Sequence, residues 1–457
     1  NIISTASTGG ITTNGGAINL TATNGININH AFTFNPGAAT TTLTTTNAPI
    51  SFTGSVTIGG DLVLNAGNAN ISVAAINGVA VGTSNVTVSA GSGTFTTTGV
   101  IGGTNRLNNL NVTADDVALG ANINGSGTLT LQTNSNARAI KVNYGAADGT
   151  HLNLSTTEIG YFVDGWSQIN IGKVADIEAV WIGSSTFVDP ITFRSGWYGF
   201  LDGTLTSSGN AAVTFNIPTM YMGGGATTIT SAGNSVSFSN TLALYQGTYA
   251  INTSGGNVTI TGNTAQTFAI ATSLSINAGA GALSFGGTVN ANTSNPLSVT
   301  ASAASITMAG AWGGTGALGA VSLTSTNSII LPAISASSIN VQTSAVSGKI
   351  SLGGALTASV TTGNGIVLNA GNEIATTLAS TLTTSGSNIS LTGVNGIGLY
   401  HATTLSSSNG DITFNSPLYL GAAQTISAGA GVVTFASTID SLTAVTNANV
   451  LVVAGGG

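Results

Sequence analysis

The chain has 457 residues, of which 6 are basic and 13 acidic, giving a net charge of −7 with 4% of positions charged, against about 25% in an ordinary soluble domain. Nothing resembles a basic patch for nucleic acid, and the lack of cysteine removes disulfides, zinc–thiolate sites, iron–sulfur clusters and thiol nucleophiles together. Low charge with 6% aromatics would suit disorder, but 42% hydrophobic residues, with Val, Ile and Leu at alternate positions, predict a folded, elongated core.

In chain order the sequence repeats one phrase: small residues, an alternating strand ending in an apolar residue, then a turn. The first version is Ala48-Pro-Ile-Ser-Phe52, followed by alternating strands at 52–58, 61–65 and 127–132. The phrase returns as Ala211-Ala-Val-Thr-Phe215, Asn234-Ser-Val-Ser-Phe238, Gly256-Asn-Val-Thr-Ile260 and Gly281-Ala-Leu-Ser-Phe285, then Gly410-Asp-Ile-Thr-Phe414 and Gly431-Val-Val-Thr-Phe435. Steps between anchors are 23 (215 to 238), 22 (238 to 260), 25 (260 to 285) and 21 (414 to 435). Further strands are expected at 274–277 and 388–392, and helical patterning is almost missing. A fixed period of this size marks a solenoid whose repeats bury their apolar faces only against neighbours.

The fold expected is all-β, a right-handed parallel β-helix with coils of roughly 20–25 residues, stacked at about 4.8 Å. Some twenty such coils would make a rod on the order of 100 Å. Asn at the corners is expected to hydrogen-bond from coil to coil. Immunoglobulin-like sandwiches would need longer strands and a bulky core residue in each domain.

Residues 277–289, 427–439 and 89–95 carry Gly-x-Gly-x-(Leu/Val)-(Ser/Thr)-Phe phrases or fragments of them. They resemble the repeats of filamentous-haemagglutinin-like adhesins. Residues 154–172 are similar to a block of giant bacterial β-strand-repeat surface proteins. The resemblance implies a right-handed parallel β-helix, export from the cell, and a role in adhesion, biofilm or cell-surface structure. It brings no enzymatic residue with it.

One block departs from the pattern, so the chain is divided into coils at 1–137, a charged, Trp-rich stretch of irregular coils or insertion at 138–202, and further coils at 203–457. Eleven of the 19 charged residues lie between Arg138 and Asp202, with three of the four Trp. Insertions in a repeat array often map to a binding face, so Tyr161, Trp166, Trp181, Trp197 and Tyr198 form the candidate contact face. The same aromatics would equally fill the core of wider coils, with salt bridges tying the loops.

No catalytic, metal or cofactor site is predicted. Asp115 and Asp116 read as a corner, and Asp164, Asp176, Glu178 and Asp189 show no spacing that distinguishes a polysaccharide-lyase face from solvated turns. His30, His151 and His401 are widely separated and read as lone surface or corner residues. The Gly-rich turns lack the Asp of a calcium roll and the Lys of a phosphate loop.

The function expected is a non-enzymatic, extracellular stalk or filament segment of a large bacterial surface protein, self-associating end to end or continuing into a longer chain. Its opening at Asn1 and close at Gly457 read as a mature form or a piece of a longer polypeptide. The alternative is a glycan- or receptor-binding module carried by 138–202. An ice-binding surface is suggested by the Thr run at 40–46, but the drift of coil length from 21 to 25 argues against a regular Thr face. No stretch reaches the roughly 18 apolar residues of a membrane-spanning helix.

Overall fold

The computed structural model describes residues 2–5, 7–268, 270, 272–292, 295–441 and 451–455. Asn1 and residues 456–457, where the reading of the chain ends rests, lie outside them. The described chain is nearly all β, with parallel strands stacked as a β-solenoid of about 19 turns. Helix is confined to one turn, Thr156–Ile159, among the described residues. Two compact units divide it, Asn1–Met220 and Tyr221–Gly457.

In the first unit a column of strands runs through Ile18–Ala22, Thr40–Thr45, Asp61–Asn65, Val86–Thr97, Leu110–Leu119, Thr128–Gln132, Gln168–Gly172, Ile191–Arg194 and Val213–Asn216. Register is kept coil after coil, so one interior line reads Leu20, Leu43, Leu64, Val88, Val112, Leu131, Ile171, Phe193, Phe215. Period two explains it: alternate side chains enter the core and their neighbours face out. From Leu43 onward each member of the line is buried. Phe193 and Phe215 stack at 5.6 Å with their planes 17° apart, a contact that parallel register alone produces.

Corners use the amide ladder expected of them. Asn108 and Asn109 donate through Nδ2 to the Asn85 side-chain oxygen at 3.0 and 2.7 Å, and Asn85 donates to Asp61 at 2.9 Å.

The second unit repeats the scheme on its own strands, with an interior line Ile229, Ile251, Ile276, Ala301, Leu323, Val341, Leu368, Leu391, Phe414. Coils approach so closely that Gly247, at φ +126°, would place a Cβ 1.9 Å from the Gly225 carbonyl oxygen. Only glycine satisfies both the left-handed backbone and that approach.

Coil length varies without disturbing these lines. Ile251 to Ile276 takes 25 residues, Ala301 to Leu323 takes 22 and Leu323 to Val341 takes 18, all in continuous register. The variation sits in the corners, where extra residues cost little.

Phe193→Ala should therefore lose about 3–5 kcal/mol in denaturant unfolding, the range for emptying a packed aromatic position. Thr214→Ala, one position out of the core on the next coil, should stay within about 0.5 kcal/mol of the parent.

Candidate contact face

The charged, aromatic block owes its character to one wide coil. Val112 to Leu131 spans 19 residues and Ile171 to Phe193 spans 22, but Leu131 to Ile171 spans 40. The extra length carries strands Ile140–Val142 and Leu152–Leu154, which pair in parallel, and the helical turn. Ser155 and Glu158 close that turn with a capping box, each accepting from the other's backbone N–H.

Strand Ile140–Val142 also pairs with Val180–Ile182, which pairs with Tyr198–Leu201. An outward line results: Asn153, Lys141, Trp181, Phe200. Tyr144 meets Trp181 edge-on at 5.5 Å and Phe200 at 6.2 Å, while His151 lies 5.7 Å from the Trp181 ring. Lys141 Nζ sits 5.8 Å over the same ring and pairs with Asp148 at 2.6 Å. Asp148 also holds the His151 Nδ1 at 2.5 Å and the Thr150 hydroxyl at 2.7 Å. Those bonds, led by the one to Lys141, hold its carboxyl well below the usual carboxylate range. This is a small exterior core, in which the rings largely cover one another.

The five predicted residues separate. Trp181 lies in that array. Trp197 and Tyr198 adjoin it, their rings edge-to-face at 4.4 Å. Burial and the charge of Asp202 push the Tyr144 phenol up, with Lys141 opposing and Tyr198 adding a smaller upward effect. Tyr198 begins the strand that carries Phe200, one of the rings of the array. Tyr161 belongs elsewhere, on the segment after the helical turn, where its carbonyl accepts from Ile123 N–H at 2.8 Å.

Trp166 is corrected outright. It is 1% exposed, its Nε1–H donates to the Ile123 carbonyl at 3.3 Å, and its ring occupies the space a Cβ on Gly125 would need. A wider coil needed a larger filler, so Trp166 is core and contributes nothing to an outer face.

His151 is likewise no lone residue. The Asp115–Asp116 pair does sit at a corner: Thr113 and Val117 pair with Ser89 and Phe95, which pair with Asn65 and Ile71 on either side of the turn at 66–70.

What remains accessible is an apolar corner. Trp197 is 51% exposed, Val174 58% and Ile177 63%. The Gly196 N–H donates to the Asp176 carbonyl at 2.9 Å, tying the corner of Trp197 to that of Val174 and Ile177. Sequence reasoning missed Tyr144, His151 and Phe200 as partners, although Val-Trp-Ile at 180–182 already places Trp181 outward by alternation.

Of the four acids considered for catalysis, Asp164 and Asp189 lie side chain to side chain. Asp176 and Asp189 are buried, and Asp164 is exposed. Asp176 accepts from the Thr133 hydroxyl and pairs with Lys173 at 3.5 Å. Asp189 accepts from Gly165 N–H at 3.0 Å and so pins the turn that aims Trp166 inward. Among the described residues, no group of three or more His, Cys, Asp or Glu is arranged to hold a metal ion.

Burial raises the Asp189 carboxyl above its ordinary value, against the backbone N–H groups of Gly165 and Trp166, and the adjacent Asp164 carboxylate adds a smaller rise. A raised folded-state value favours the protonated form. Its stabilisation is full below the unfolded aspartate value of about 3.9 and is lost as pH rises through the folded value. Asp189→Asn should thus raise the melting temperature more at neutral pH than near pH 3.9, read by thermal scans at both. An equal shift at both pH values would show that burial of the charge is not the cause.

Comparison with protein-family models, with curated proteins and with solved structures finds no match to this chain.

Proposed function

We propose that the chain is a non-enzymatic structural β-solenoid, a stalk or filament segment of a bacterial surface protein of the haemagglutinin-like kind, working outside the cell. One observation carries the reading: several of its 13 carboxylates accept from backbone amides of nearby coils. Asp61 accepts from Asn85 N–H at 2.9 Å, and Asp115 from Asn134 and Ser135 at 3.1 and 3.0 Å. Asp116 accepts from Asn153 at 3.2 Å, Glu158 from Leu119 at 2.9 Å, and Asp411 from Val432 at 2.8 Å. Groups held this way brace coil against coil, and such charge-assisted bonds are the stronger kind.

Load along such a stack is shared by backbone ladders on every side of each coil, which suits a spacer. Negative-stain microscopy of the purified chain across a concentration series tests the reading. Fibres or uniform slender particles are expected. Compact particles, or release of reducing or unsaturated ends from polysaccharides, would overturn it.

The corner of Val174, Ile177 and Trp197 favours a second role as the place where the segment touches a partner. Trp197→Ala should then weaken retention of chain-coated beads on the receptive surface, with the melting temperature unchanged. Equal retention by the two proteins would remove the corner from the reading.

A further inference from the structure

The second unit carries a grid of hydroxyls and methyls on strands Ser380–Thr384, Thr403–Ser406 and Gln424–Gly429. Thr381 pairs with Thr404 and Thr404 with Thr425, while Thr383 pairs with Ser406 and Ser406 with Ser427. Thr357 extends the second line by one coil. Ala379, Ala402 and Ala423 precede the paired Ser380, Thr403 and Gln424 and add a line of methyls beside the hydroxyls. Thr381, Thr404 and Thr425 are exposed, and no charged residue occurs in 379–383, 402–406 or 423–427.

Drift of coil length does not spoil the grid. Thr357 to Thr383 is 26 residues, Thr381 to Thr404 is 23 and Thr404 to Thr425 is 21, yet each pair is in register. The corners absorb the difference, so a coil length that drifts does not break the alignment of the outward residues.

The layer beneath is fixed. Gln424, 1% exposed, accepts from Thr403 N–H at 3.0 Å and donates to the carbonyls of Leu399, His401 and Ala422. Ser380, 7% exposed, lines a groove of about 330 Å³ with Ala355, Ala379, Thr381, Ala402 and Thr404. Its Oγ has no hydrogen-bond partner in the protein. A buried hydroxyl without a partner at the floor of a groove is a place for ordered water.

Coils repeat at about 4.8 Å. Water oxygens hydrogen-bonded at about 2.75 Å around a tetrahedral centre lie about 4.5 Å from their second neighbours. Hydroxyls one coil apart thus overshoot the ice spacing by only about 0.3 Å per step, and the two steps across three coils accumulate about 0.6 Å. Methyls beside them leave neighbouring water to bond to itself, and the lack of charge removes ion hydration shells that no ice plane accommodates.

We propose that this Ala–Thr–Thr/Ser grid of the second unit binds ice, holding a lattice-like layer of water seeded at Ser380. The proposal is independent of the structural role above.

The test uses the full chain in thermal-hysteresis and ice-recrystallisation assays, beside Thr404→Tyr and Thr404→Lys. The parent should shape ice and slow recrystallisation, and both variants should lose most of that effect with unchanged circular dichroism. Thr214→Ala, an outward position in the first unit, should keep it. If the Tyr variant misfolds, the Lys variant decides. Parent activity no greater than that of an inert protein at equal mass would overturn the proposal. So would full activity in a folded variant, or retention on crystalline polysaccharide without any effect on ice.

Discussion

Everything in this molecule depends on parallel hydrogen-bonded register between one coil and the next. Interior lines such as Leu43 to Phe215 and Ile229 to Phe414 exist because each strand meets its successor residue for residue. A slip by one residue would turn every apolar side chain outward. Stacked Phe pairs, the Asn85 ladder and the close approach at Gly247 follow from that lock.

Where the lock is relaxed, chemistry collects. The coil between Leu131 and Ile171 is nearly twice the usual length, and its surplus chain adds two strands to the edge of a parallel sheet, a capped turn and a loop bearing Tyr144 and Asp148. Charges that the rest of the sequence avoids are needed there, because irregular backbone leaves N–H groups without a ladder partner. Asp116, Glu158 and Asp189 supply acceptors for those groups. Tyr400 shows the same habit in the second unit: burial first, then the adjacent Glu373 carboxylate, pushes its phenol up to about 12.

Solenoid class and strand placement were legible because alternation and glycine punctuation are local signals. The strand expected at 61–65 is Asp61–Asn65, and that expected at 388–392 is Asn388–Gly393. The aromatic block was only half legible. Val-Trp-Ile places Trp181 outward by alternation, whereas Trp166 follows an irregular turn with no alternating frame, so its direction is set by the cavity over Gly125. Regularity of the Thr lines was hidden for another reason. Repeat length sums strands and corners, and only the strands decide whether outward residues align.

The separation of strand from corner has a genetic consequence. Coil length already varies within this chain while inner and outer lines stay aligned, so an insertion or deletion at a corner is expected to leave both unchanged. Within strands, odd positions answer to packing and even positions answer only to what the surface meets. One face can thus be rewritten, residue by residue and coil by coil, while the scaffold that presents it stays the same.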